Sequence, residues 1–218
     1  MSQNIGTPEE WQRARSQLLT QEKAATHLLQ SIAESRRNLP KVRIPHPERF
    51  TFDTPSGRKT LPEIFSGRKQ LIMYHFMLNA HDKTGCIGCT FCMDHIPDLR
   101  HLWSRETSFV AVATAPLEKI NDYKERNGWG FPFYSSAETQ RAWEQAETQG
   151  EVVTWKPGNG YFGLCVFLKE GDEVFHTYST TDRGMEGILT TYQLLDMTPL
   201  GRQEVGNGMG NFKRVYEY

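Results

Sequence analysis

The sequence lacks any run of five or six like charges: 25 Lys and Arg are matched by 26 Asp and Glu, for a formal net charge of -1. A chain that follows a phosphate backbone needs a concentrated basic patch, so nucleic acid is not an expected partner. Long apolar runs are missing too. The longest, Leu71 to Met77, is interrupted by Tyr74 and His75 and falls far short of the roughly 20 residues a membrane-spanning helix requires, so no membrane association is expected. Residues Met1 to Ser16 hold no apolar core of roughly 7 to 15 residues of the kind that directs export; the expectation is a cytoplasmic protein. Phosphate-cradling glycine loops and a serine nucleophile elbow are absent, no internal repeat is visible, and no cofactor is expected. The chain has 218 residues, 38% of them hydrophobic and 11% aromatic. That suffices for one core of good size and is short for two independent domains.

Cysteine is scarce, with four in the chain, yet three fall within seven residues as Cys86-Ile-Gly-Cys89-Thr-Phe-Cys92, and Cys165 stands alone. A chain of this size needs no disulfide staples, and structural disulfides are uncommon in a reducing compartment. Clustered thiols therefore point to redox or metal chemistry.

Thr7-Pro8-Glu9-Glu10 carries the signals of a helix start: a capping Thr, Pro at the first helical position and Glu at the third. Trp11, Leu18, Ala25 and Ile32 recur at sevens until Asn38-Leu39-Pro40 stops the pattern, which predicts an amphipathic helix of roughly 30 residues. Its stripe either packs on its own domain or embraces a second subunit as a homodimer arm. The expected organisation is an N-terminal helical arm over residues 1–45 and one domain over 46–218. Phe50 to Phe52 and the turn at Pro55-Ser56-Gly57 predict a small hairpin. The near-continuous apolar run Lys69 to Met77 predicts a central strand buried on both faces, followed by a polar loop, the cysteines, and a helix from Cys89 to Trp103. Phe109 to Ala113 is a second buried strand, Pro116 to Asn127 a helix, and Phe131 to Tyr134 a short strand. Ser135 or Ser136 then caps a helix that runs to Gly150. Leu164 to Leu168 and Val174 to Tyr178 form a hairpin about Glu170-Gly171-Asp172; Met185 to Leu195 is a last helix and Leu200 to Gly210 a surface segment. This order implies an α/β fold, a mixed sheet with helices on both faces.

A Cys-x-x-Cys where a buried strand hands over to a helix places Cys86 at the helix N-terminus, where free N–H groups and the helix dipole favour a thiolate. Cys86 is the candidate nucleophile. Cys89, one turn deeper, is the candidate resolving thiol that would attack a mixed disulfide at Cys86. Cys92 is separated from Cys86 by about 9 Å of helical rise, beyond the roughly 7 Å limit for a disulfide; it reads as a core thiol, with a second resolving role or a metal role as alternatives. Cys165, among strand hydrophobes, reads as inert. His75 at the end of the central strand is either a hydrogen-bonded core histidine or an auxiliary that tunes the thiolate, and His176 carries the same two readings. Thr84, two residues before Cys86, could donate to its sulfur. Asp94 and Asp98 read as solvated or near-terminal acids, with an influence on thiol acidity as the alternative. In the rival metal reading, Cys86, Cys89 and Cys92 hold zinc with His81, His95 or His101. A further alternative is a non-catalytic scaffold. An iron–sulfur loop would need a fourth Cys and a following Pro that are not at the required spacing.

The run Leu71 to Met77, Gly85-Cys86-x-x-Cys89-x-Phe91-x-x-Asp94, Ala115-Pro116-Leu117 to Tyr123-Lys124, Gly128-Trp129-x-Phe131-Pro132 and Val174-Phe175-His176-Thr177-Tyr178-Ser179-Thr180 together resemble the DUF899 family. The resemblance spans roughly Trp11 to Arg202. It implies a thioredoxin-like fold of the peroxiredoxin-related branch and a dithiol-disulfide oxidoreductase or thiol peroxidase. Implied partners are a thiol or disulfide substrate or a peroxide, and a recycling reductant such as thioredoxin or glutathione. Family members commonly have Pro where this chain has Ile87 and an aromatic residue where it has Cys92. The proline that faces the cysteine pair in thioredoxin-like enzymes has no counterpart at Tyr161-Phe162-Gly163; the nearest is Pro157.

Overall fold

The capping residues at Thr7 set the first helix. The Thr7 hydroxyl accepts from the Glu10 N–H at 3.2 Å, and the Glu10 carboxylate accepts from the Thr7 N–H at 2.8 Å. From there α1 runs Pro8–Arg37 and ends at Asn38, two residues before Pro40. The computed structural model describes residues 4–156, 162–206 and 212–218; Pro157, Tyr161 and part of the Leu200 to Gly210 segment lie outside them. The chain divides into two units, Met1–Pro40 and Lys41–Tyr218. In the first, no side chain of α1 is buried, and Trp11, Leu28 and Leu29 are exposed. Among the described residues no helix is long and apolar enough to cross a membrane.

The second unit is built on eight strands: β1 (Val42–Arg43), β2 (Thr51–Thr54), β3 (Gly57–Thr60), β4 (Gln70–His75), β5 (Thr107–Ala113), β6 (Phe133–Ser135), β7 (Gly163–Glu170) and β8 (Glu173–Thr180). They form one sheet in the order β1-β8-β7-β4-β5-β6-β2-β3. Within it, β4 runs parallel to β5 and antiparallel to β7, and β7 is antiparallel to β8. The four strands β8-β7-β4-β5, with a helical crossover from β4 to β5, make the sheet thioredoxin-like, as the resemblance implied.

Alternation along β4 divides the core in two. Tyr74, and Phe76 just beyond, face a cluster with Cys89, Cys92, Phe91, Tyr123, Trp129 and Tyr192. Leu71 and Met73 face another with Phe50, Trp143, Trp155, Cys165 and Phe167. The first side is covered by α2 (Ile87–Met93), α3 (Arg100–Trp103), α4 (Leu117–Arg126) and α6 (Thr190–Leu195), the second by α5 (Ala137–Thr148). Helices therefore pack on both faces.

Three elements depart from the sequence reading. The helix expected over Cys89 to Trp103 is two helices, because Pro97 has no N–H to give and its ring disfavours a helical residue before it. The chain tightens there instead, with His95 and Ile96 donating to the carbonyls of Cys92 and Met93. The expected Met185 to Leu195 helix is a 3-10 stretch over Asp182–Ile188 followed by the short α6. At α5, Ser136 occupies the cap position without a side-chain capping bond, and its N–H donates to the Ala113 carbonyl at 2.8 Å.

Phe167 is fully buried, with its ring 5.3 Å from Trp155 and 5.8 Å from His176. Replacing it with Ala leaves a cavity in a close-packed layer, and Phe167→Ala is expected to cost about 3–5 kcal/mol. Urea unfolding checks this as a lower midpoint at unchanged slope.

Candidate thiol site

Strand β4 ends at His75, and the chain then loops through Asn79 to Gly85 before α2 begins. That loop is pinned where it returns: the Cys86 N–H donates to the Met77 carbonyl at 3.1 Å. Gly85 sits under two rings. A Cβ there would lie 2.7 Å from Phe76 and 2.8 Å from Tyr123, so only glycine lets the backbone pass. Cys86 is the N-cap of α2, half-buried, and Cys89 and Cys92 lie deeper on the same helix. All four cysteines of the chain are free thiols.

The thiols differ sharply in acidity. The Cys86 thiol is held down to about 6, first by a hydrogen bond from the Cys89 thiol, against the opposing effect of burial. The N–H groups of Cys89 and Gly88 and the positive charge of Arg214 add to it. Cys89 is driven far up by the same hydrogen bond, by burial and by the negative charge on Cys86. Burial pushes Cys92 up to about 11. Behind both, the fully buried Tyr74 hydroxyl makes no well-formed hydrogen bond among the described residues; its polar neighbours are the Cys89 and Cys92 thiols, and burial raises its own pKa.

Several residues at this site carry no local sequence signal. The Thr90 hydroxyl donates to the Cys86 carbonyl at 2.8 Å and lies 2.7 Å from the Tyr123 hydroxyl. Arg214, near the C-terminus, donates from Nε to the Tyr123 oxygen at 3.1 Å and from Nη2 to the Gly85 carbonyl at 2.9 Å. Tyr123 was legible only as part of a family motif, and Arg214 stands 128 residues after Cys86 with nothing nearby to mark it.

Other candidates are placed elsewhere. Thr84 is exposed and its hydroxyl makes no hydrogen bond among the described residues. His75 faces the opposite side of the sheet from the thiols, its ring 5.4 Å from Trp143 and 6.3 Å from Trp155. It lines a cavity of about 350 Å³ with Met77, Val112, Ser136, Gln140 and Trp143. His176 is held at both nitrogens, by the Thr154 hydroxyl and the Tyr178 carbonyl. Asp94, the C-cap of α2, is near-terminal but not solvated: half-buried, it accepts from the Trp129 indole at 2.8 Å, burial raises its pKa, and its charge in turn raises Cys92. Asp98 is exposed and paired with Arg100.

The zinc alternative finds no ligand set. Among the described residues no three His, Cys, Asp or Glu side chains are arranged to hold a metal ion. His95, the nearest histidine in sequence, uses Nδ1 on the Phe91 carbonyl at 2.5 Å and Nε2 on the Thr191 hydroxyl at 2.7 Å.

Burial alone holds His75 down to about 3. The unfolded chain protonates this residue below about pH 6.5 while the folded one stays neutral, so stability is lost as pH falls from 6.5 toward 3. Between pH 7 and pH 4.5 the wild type is expected to lose about 2 kcal/mol more than His75→Leu, read from urea midpoints at the two pH values.

The profile of the family described as "Bacterial protein of unknown function (DUF899)" matches residues 1–218. No curated protein matches the chain. Three of the solved structures that align with it illustrate the likeness. The bacterioferritin comigratory protein of Xanthomonas campestris, whose description concerns alkyl peroxide reduction, is 14% identical over 70% of this chain and 96% of that one, at a TM-score of 0.44. The peroxidoxin BcpB of Mycobacterium tuberculosis is 18% identical over 67% and 92%, at 0.38. A secreted disulfide oxidoreductase of Mycobacterium tuberculosis, homologous to Escherichia coli DsbE, is 13% identical over 67% and 96%, also at 0.38. With its whole length matched, this chain belongs to the DUF899 family.

Proposed function

We propose that the protein is a thiol-disulfide oxidoreductase or thiol peroxidase in which Cys86 attacks and Cys89 resolves. The observation that carries this reading is the placement of two thiols one helical turn apart, the outer one at the N-terminus of α2 and half-buried, the inner one buried; their acidities divide accordingly. Cys86 is a thiolate at neutral pH and half-exposed, whereas Cys89 is protonated, buried and hydrogen-bonded to it. The thiolate is the nucleophilic form of cysteine, so attack falls to Cys86.

With a disulfide substrate, the Cys86 sulfur forms a mixed disulfide and expels one substrate thiolate. With a peroxide, it takes one oxygen to become a sulfenic acid and, with a proton taken up, releases the alcohol or water. Either step consumes the negative charge on Cys86. Two of the three influences that hold the proton on Cys89, the hydrogen bond to Cys86 and the charge of Cys86, then disappear and only burial remains. Cys89 becomes easier to deprotonate at the moment its attack is required. Its sulfur bonds to that of Cys86, releasing substrate thiolate or water, and an external dithiol such as thioredoxin, or glutathione, returns the pair to its reduced form. A reducing cytoplasm, where such thiols are abundant, suits this cycle.

Differential alkylation across dithiothreitol redox buffers tests the reading. Cys86 and Cys89 are expected to interconvert together at a potential between about -120 and -270 mV, the span of dithiol oxidoreductases, while Cys165 stays reduced. In the reduced protein, Cys86 labelling should rise with a midpoint near pH 6. Cys86→Ser should abolish turnover, and Cys89→Ser should accumulate the mixed disulfide or sulfenic acid. A pair that never forms, or a Cys86 with the midpoint of an ordinary thiol, ends the proposal.

A further inference from the structure

Residues 212–218 bear no recognisable motif, yet they lie against the thiol helix. The Phe212 ring stacks on Phe91 at 4.1 Å and an interplanar angle of 17°. The Arg214 side chain, only 15% exposed, spreads its donors over Tyr123, Gly85 and Glu217.

The direction of these hydrogen bonds follows from what each group can do. A guanidinium only donates, so the Tyr123 oxygen accepts from Arg214 and keeps its own proton to give. The single proton of the Thr90 hydroxyl goes to the Cys86 carbonyl. Thr90 must then accept from Tyr123 across their 2.7 Å contact. The chain runs one way, from Arg214 through Tyr123 and Thr90 to the Cys86 carbonyl, each bond polarising the next. A second arm of the guanidinium grips the Gly85 carbonyl directly. With the Cys86 N–H on Met77, the peptide groups on both sides of the Cys86 Cα are held.

We infer that Arg214 is a positioning residue for Cys86: from the C-terminal segment it fixes the backbone that aims the sulfur at the Gly88 and Cys89 N–H groups, and sets a positive charge beside it. This rests on Cys86 being the attacking thiol. The titratable and charged groups around the site are Cys89 and Cys92 from α2, Tyr74 from β4, Tyr123 from α4, and Glu217, which partly offsets Arg214 from 2.8 Å away. Arginine is required in particular because a lysine ammonium retains the charge but cannot reach two acceptors in a planar fork.

Three variants separate charge from geometry: Arg214→Met removes both, Arg214→Lys keeps charge, and Tyr123→Phe keeps Arg214 while cutting the chain by one hydroxyl. The readout is the pH profile of iodoacetamide labelling at Cys86. Arg214→Met is expected to raise the midpoint by about one unit, which slows labelling at pH 6 about fivefold and leaves the rate above pH 9.5 unchanged. Arg214→Lys should recover part of that shift, and Tyr123→Phe should give a smaller upward shift. A wild-type midpoint in Arg214→Met overturns the inference; should that variant not fold, as judged by circular dichroism, an unshifted Tyr123→Phe overturns it. If the wild type itself has an ordinary thiol midpoint, the failure belongs to the assignment of Cys86 and not to Arg214.

Discussion

Strand β4 is hydrogen-bonded along both edges, parallel to β5 and antiparallel to β7. A strand so held cannot slip by one residue without turning every side chain to the wrong face. Its alternation therefore commits Tyr74 to the thiol side and Met73 to the other, and leaves a single exit for the chain at Phe76 and Met77. The loop that follows comes back to the same point, where the Met77 carbonyl receives the Cys86 N–H. The thiol helix is thus anchored to a central strand of the sheet. The ring of Phe76 also excludes any side chain at Gly85, so the sheet dictates where the helix may begin.

The two site thiols are best regarded as one titrating pair. The hydrogen bond between them lowers Cys86 and raises Cys89, and the charge on Cys86 raises Cys89 further, so the first proton leaves the pair near pH 6 and the second leaves only far above neutrality. Burial adds to this division, because Cys86 is half-exposed and Cys89 is enclosed with Cys92 and Tyr74. The pair therefore carries a single negative charge over the whole physiological range, placed on the sulfur that solvent can reach.

Much of the fold was legible in the sequence because the signals were local. The capping box at Thr7, the apolar run of β4, the stop at Asn127-Gly128 and the turn at Gly171 all operate over a few residues, and each marks an element present in the structure. The helix expected through Pro97 failed for a reason equally local, since side-chain periodicity survives a break that the backbone does not. The thiol site was legible only in part. Cys86, Cys89 and Cys92 announce themselves by spacing, but Tyr74, Thr90, Tyr123 and Arg214 are brought to them by tertiary packing, and no periodicity encodes that. His75 illustrates the converse: it is close to Cys86 in sequence, yet the pleat of β4 turns it to the opposite face.

Cys165 lies in the middle of β7, fully enclosed, its thiol donating to the Trp155 carbonyl at 2.7 Å and its acidity suppressed by burial. Its side chain faces the packed layer of Trp143, Trp155 and Phe167, so a reagent reaches this sulfur only when that layer opens. The chain consequently carries its own clock for the opening of that layer. Slow capture of Cys165 by an alkylating agent measures how often that layer opens, in the same sample whose half-buried Cys86 reports chemistry on the opposite face of the sheet.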